Sequence, residues 1–213
     1  MTHPETTGTP AEQSWTVKIA GREIVLPIIP IKPDFAISLL MVIDAGVSFG
    51  EHCGRALAEK LAYLKPEVIV GPATLGIPVA IELSRALGLD KYVILQKSPK
   101  IHLANALEQN ITAITSKGPQ RLLLDRRSLP LLQGKRVVLV DDVVASGGSL
   151  AGALALLRQA GADVVAIGTI LTEAHDWRER LGADADLVQG LAHIPQFTRF
   201  NGEAAWTPIP DSL

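Results

Sequence analysis

Apolar and polar residues alternate through 14–31, with Trp15, Val17 and Ile19 at every second position, a break at Gly21-Arg22, and a second apolar series from Ile24. A period of two interrupted by a glycine turn predicts a β-hairpin. Residues 36–43 are apolar, and beyond them the period lengthens: Leu57, Leu61 and Leu64 predict a helix over 51–64 that stops at Lys65-Pro66. The apolar run 68–70 predicts a short buried strand meeting Gly71-Pro72. A helix over 77–87 stopped by Gly88 and a strand over 92–95 follow. Residues 105–121 mix Asn, Gln, Thr, Ser, Lys, Gly and Pro with scattered isoleucines and no clean period, and they read as a long loop or a mobile hairpin. The pattern then sharpens into an apolar run at 137–140, a glycine-rich turn, a helix over 150–160 closed by Gly161, and a strand over 164–171. Strand, helix, strand in this order predicts an α/β fold with a mainly parallel sheet and right-handed crossovers.

A length of 213 residues fits one core with embellishment, and 47% hydrophobic against 20% charged residues suffices to bury that core without staples. Residues 1–14 read as a flexible tail and 15–213 as a single domain. The net charge of −2 provides no general field for a nucleic-acid backbone, so any anion site must be local. The single cysteine, Cys53, excludes a disulfide framework and points to a reducing cytoplasm. The N-terminus has no signal-peptide pattern, and no apolar stretch approaches the ~20 residues that span a bilayer.

Candidate chemistry concentrates in Val137-Val138-Leu139-Val140-Asp141-Asp142-Val143-Val144-Ala145-Ser146-Gly147-Gly148-Ser149. A buried strand ends in two carboxylates, and a turn with two glycines leads into a helix. Such a turn is an anion cradle: backbone N–H groups converge on it, the helix start adds positive potential, and Ser146 and Ser149 bring hydroxyl donors. Two aspartates beside a phosphate make sense if they accept from the cis hydroxyls of a ribose and sit near a divalent cation.

This run resembles the phosphoribosyl-pyrophosphate signature of the type I phosphoribosyltransferases. The resemblance implies that Asp141 and Asp142 hold the ribose hydroxyls beside Mg2+, and that Ala145, Ser146, Gly147, Gly148 and Ser149 hold the 5′-phosphate. A second segment, Val68-Ile69-Val70-Gly71-Pro72-Ala73-Thr74-Leu75-Gly76, has the glycine spacing of a nucleotide P-loop, but Ile77-Pro78 stands where Lys-Ser/Thr is required. It resembles instead the family's pyrophosphate loop, implying that Ala73, Thr74, Leu75 and Gly76 meet the leaving group. The acid and arginine of the adenine-type loop are missing. Gln96-Lys97-Ser98-Pro99-Lys100 resembles the basic region after the third strand of adenine and xanthine phosphoribosyltransferases, so Lys97 and Lys100 are expected to stabilise departing pyrophosphate. Residues 101–121 correspond in position to the family's mobile catalytic loop, where Glu108 is the candidate proton acceptor.

By the same resemblance the core covers about 36–172, and a variable hood made from about 15–35 and 173–213 covers the base. Among the late aromatics Trp177, Phe197, Phe200 and Trp206, the last three are candidates for stacking on a flat ring, with Phe197 taken as the site residue. His193 is not expected to be catalytic. Guanine-type members carry an aspartate where this chain has Ala145. The implied activity is therefore phosphoribosyl transfer from phosphoribosyl pyrophosphate to a purine of adenine or xanthine type, releasing pyrophosphate, in a homodimer. The alternatives are an orotate enzyme and a regulatory domain that binds phosphoribosyl pyrophosphate or a nucleotide without transfer.

Overall fold

The structure, a computed structural model, describes residues 13–99, 101, 105–111, 120–199 and 205–213. The expected hairpin forms from β1 (Ser14–Ile19) and β2 (Arg22–Lys32), joined through Ala20 and Gly21, both at positive φ. Thr16 and Lys18 face solvent while Val17 and Ile19 are buried, the one-sided burial that produces a period of two. After β3 (Phe35–Ser38) come α1 (Val47–Leu61), β4 (Val68–Pro72), α2 (Gly76–Ala86) and β5 (Tyr92–Leu95). Next are β6 (Leu107–Ile111), β7 (Gln120–Leu124), the short α3 (Leu129–Leu132), β8 (Arg136–Val144), α4 (Gly148–Gln159) and β9 (Asp163–Glu173). The chain closes with α5 (Asp176–Leu181), β10 (Val188–Ile194), β11 (Gln196–Thr198) and β12 (Thr207–Pro208).

The central sheet has the order β10-β9-β8-β4-β5, all neighbours parallel. Its middle strands carry continuous apolar runs, 68–70 in β4 and 137–140 in β8, because both faces are covered there. Val68, Val70, Val137 and Leu139 face a core shared with Leu150, Leu154 and Leu157 of α4, while Ile69, Val138 and Val140 face one shared with α1 and α2. The second sheet is the hood, in the order β1-β2-β3-β11-β12. The strand 188–194, within the stretch expected for the hood, instead forms the edge of the central sheet.

β6 and β7 pair antiparallel, so the segment read as a loop or mobile hairpin is a hairpin where it is described. Leu107, Ile111, Leu122 and Leu124 bury against α4, which explains an isoleucine at 111 that fits no local period. Residues 1–12 of the expected tail, and residues 100, 102–104, 112–119 and 200–204, lie outside the described residues. No helix among the described residues is long and apolar enough to cross a membrane.

Candidate functional site

Strand β8 continues past its apolar run, so Asp141 and Asp142 sit within its last turns of pleat rather than beyond its end. The chain then bends through 145–147 into α4. Gly147, at φ 73, is the residue before that helix, and a Cβ there would meet the Cα, Cβ and carbonyl oxygen of Trp177 at 3.2 Å. Glycine is required on both counts. No side chain caps α4, so its first backbone N–H groups have neither an intrahelical partner nor a side-chain cap.

The segment after β4 is folded back equally tightly. A Cβ on Gly71 would lie 2.7 Å from the Gly76 carbonyl oxygen, and one on Gly76 would lie 2.9 Å from Pro72 Cδ and 3.2 Å from Asp141 Oδ1. The glycine pair therefore lets the turn 73–75 close on itself and lie beside the aspartates. The Ala73–Thr74 peptide is cis, and Ala73 N–H donates to Leu95 O at 2.8 Å, tying the turn to β5.

These pieces line one cavity of about 430 Å³: residues 73–75, Lys97, residues 141–150, and from the other side Phe35, Ile37, Ser38, Glu173 and Gln196. Of the expected site residues, Ala73, Thr74, Leu75, Lys97, Asp141, Asp142, Ala145, Ser146, Gly147, Gly148 and Ser149 meet here. Gly76 is buried behind its turn, where it supports the wall. Lys100 and Phe200 lie outside the described residues.

Two expectations need correction. Glu108 is exposed on β6, pairs with Arg121 at 2.9 Å and does not line the cavity, because the hairpin carries it outward while its apolar side packs on α4. Phe197 is 1% exposed and packs with Ile28, Ala36 and Trp206 in the hood's own small core, edge-on to Trp15 at 5.5 Å. It stabilises the hood and cannot offer a ring face to a ligand. Phe35, which the sequence reading missed, is the aromatic residue on the cavity wall.

Burial pushes the Asp141 carboxyl well above the usual carboxylate range, and the neighbouring Asp142 charge adds to the rise. Burial raises Asp142 as well, and the Lys97 ammonium opposes the rise at both. The Asp142 N–H donates to Asp141 Oδ1 at 3.0 Å. A divalent cation or hydroxyl donors would relieve this pair. Asp141 and Asp142 are the carboxylates here that could hold a divalent cation shared with a phosphate substrate and water.

Ser38, Glu173 and Gln196 were also missed. Glu173 ends β9 two residues beyond the expected strand end, at the carboxyl edge of the sheet where open α/β folds place their ligands. That position was the available signal. Gln196 Nε2 donates to Glu173 Oε1 at 3.1 Å, linking hood to central sheet.

The model of the phosphoribosyl transferase domain matches residues 43–195. Orotate phosphoribosyltransferase of Caldanaerobacter subterraneus subsp. tengcongensis is 29% identical over 124 residues, 58% of this chain and 54% of that protein, so the chain spans about half of this relative. Xanthine phosphoribosyltransferase of Laribacter hongkongensis is 29% identical over 146 residues, 68% of this chain and 76% of the relative. The fold is similar to adenine phosphoribosyltransferase from Thermoanaerobacter pseudethanolicus, with a TM-score of 0.67 at 22% identity over 79% of this chain and 95% of that one. The domain match takes in β4 to β10 with both glycine-bounded turns and the aspartate pair, more than half of the sequence, and the chain belongs to the phosphoribosyltransferase family.

Proposed function

We propose that this protein transfers the 5-phosphoribosyl group of phosphoribosyl pyrophosphate to a ring nitrogen of a purine of adenine or xanthine type and releases pyrophosphate. One observation carries the reading: two glycine-bounded turns about seventy residues apart in sequence share a cavity with an aspartate pair and Lys97 beneath a hood. The turn 145–149 and the start of α4 bind the 5′-phosphate, Asp141 and Asp142 accept from the ribose hydroxyls, and the turn 73–75 receives pyrophosphate. In the transfer the bond from the sugar carbon to the pyrophosphate oxygen breaks, the bond to the ring nitrogen forms, and the proton displaced from the base passes to the released pyrophosphate or to solvent water. Lys97 acts as catalytic residue by neutralising charge gathering on pyrophosphate, and positioning does the rest. Mg2+, held by Asp141 and Asp142 together with the substrate, supplies further charge neutralisation when bound.

The departing charge has no arginine in its turn, which places the demand on Lys97 and the cation. Pyrophosphate release measured with phosphoribosyl pyrophosphate, Mg2+ and each of adenine, xanthine, hypoxanthine, guanine and orotate tests the reading. Release is expected with adenine or xanthine ahead of the others. A preference for orotate overturns the purine assignment, and tight binding of phosphoribosyl pyrophosphate without release from any base overturns the transfer.

A further inference from the structure

Part of the cavity wall does no work for the phosphoribosyl group. Ser38 ends β3, Gln196 begins β11, and Glu173 ends β9; the first two belong to the hood sheet and the third to the central sheet. Ser38 is 2% exposed and its Oγ has no hydrogen-bond partner, an arrangement that proteins avoid unless a ligand or water completes it. Glu173 is 4% exposed, and among the described residues nothing forms an ion pair with it. Its Oε1 accepts from Gln196, which fixes the carboxyl in the wall. Phe35 and Ile37 supply apolar surface on the same side. Apolar surface with a few convergent polar groups is the usual composition of a site for a flat heterocycle.

Charge narrows the choice of heterocycle. Asp141, Asp142 and Glu173 line the cavity against one cation, Lys97, among the described lining residues, and Lys97 stands with the aspartates. An acceptor bearing its own carboxylate, such as orotate, would have to settle against Glu173. Xanthine flanks its N1–H with two carbonyl oxygens, so when that edge is presented a single donor reaches the carboxyl with a repelling oxygen on either side. An exocyclic amino group turns an N–H donor toward the same oxygen and leaves the neighbouring ring nitrogen for a hydroxyl or amide donor, which Ser38 and Gln196 carry.

Resting on the phosphoribosyl-transfer reading, we infer that Glu173, held by Gln196, selects an amino-bearing purine as acceptor and rejects anionic and dioxo bases. The selection works by repulsion as much as by attraction, since the carboxylate disfavours the wrong acceptors whatever they gain elsewhere. Burial, which raises the Glu173 carboxyl above its ordinary value, adds to its demand for a donor.

Calorimetric titration with AMP, XMP, OMP and ribose 5-phosphate, on the wild-type protein and on Glu173→Gln, separates this inference from the reading beneath it and does not depend on turnover. The wild type is expected to bind AMP at least about tenfold more tightly than XMP or OMP, a threshold set well below the roughly 10⁴-fold discrimination that a site built around a hydrogen bond can reach. In Glu173→Gln the AMP-to-OMP ratio should fall at least about tenfold while ribose 5-phosphate binding changes by no more than about twofold. An unchanged ratio in the variant, or a wild type that prefers XMP or OMP, overturns the inference and leaves the transfer reading standing. A wild type that binds none of the four probes overturns the transfer reading and this inference with it. The wild-type ranking tests the proposal even if the variant fails to fold.

Discussion

Asp141 and Asp142 are kept at a cost, because burial raises both carboxyls and the Asp142 charge adds to the rise at Asp141. Replacing both by Asn should therefore leave the fold at least as stable while removing about 1.5–3 kcal/mol of charged hydrogen bonding apiece, a loss of roughly two to four decades in affinity for phosphoribosyl pyrophosphate. Calorimetry with Mg2+ present, alongside a thermal melt, measures both changes; retained affinity in a folded double variant refutes the ribose role. Lys97→Ala should lower turnover more than it weakens substrate binding, since the charge it meets grows only as pyrophosphate departs. Weakened binding with unchanged turnover would mean that Lys97 serves the ground state. Glu173 gives a pH dependence with a definite sign. Burial raises its carboxyl, the Gln196 hydrogen bond opposes the rise and the Asp176 charge adds to it, leaving the folded value above the unfolded one. A raised acid contributes stability that is complete below the unfolded value, about 4.3, and is lost as pH climbs through the folded value. Wild-type stability measured against Glu173→Gln by denaturant titration should thus decline between acid and neutral pH. A flat difference contradicts a raised carboxyl.

At the scale of elements, the turn before α4 shows how a motif and a packing constraint coincide. Gly147 was legible as a position where a phosphate must approach, but the structure adds Trp177, whose backbone and Cβ stand 3.2 Å from where a side chain would begin. Gly147→Val should therefore both abolish 5′-phosphate binding and destabilise the protein by about 1–3 kcal/mol, the range for overpacking, compounded by a positive φ that β-branched residues resist. Full ribose 5-phosphate affinity in that variant would place the cradle elsewhere. Strands β4, β5, β8 and β9 and helices α1, α2 and α4 were readable because each carries its own period or its own run, whereas β10 was read into the hood. The signature at 137–149 was readable because strand, acids and glycine turn are contiguous. The β6–β7 hairpin was ambiguous because its isoleucine and leucines answer to α4, far along the chain. Glu108 was misjudged for the same reason: its position depends on which side of the hairpin packs. Phe197 belongs to a cluster assembled from β2, β3 and the last segment, and no local pattern announces that. Ser38, Glu173 and Gln196 share a wall only through tertiary contact.

At the scale of the whole molecule, the two five-stranded sheets have the cavity between them and are joined there by the Gln196–Glu173 hydrogen bond. The central sheet provides the phosphate turns and the hood provides Phe35, Ile37, Ser38 and Gln196, so different parts of one ligand should report on different parts of the protein. Amide exchange is slowed where a ligand stabilises closed structure, by an amount set by its concentration relative to its dissociation constant. Ribose 5-phosphate should therefore slow exchange at 141–150 and leave 35–38 and 196–198 near their free rates. A nucleoside monophosphate should slow all three segments, because its base bridges the sheets, and pyrophosphate with Mg2+ should act chiefly on 73–76. The contrast between the sugar phosphate and the nucleotide is the informative quantity, since both share the cradle and differ only in the base. If the nucleotide protects 141–150 but leaves 35–38 and 196–198 exchanging freely, the base lies outside the space beneath the hood and the two sheets do not share one ligand.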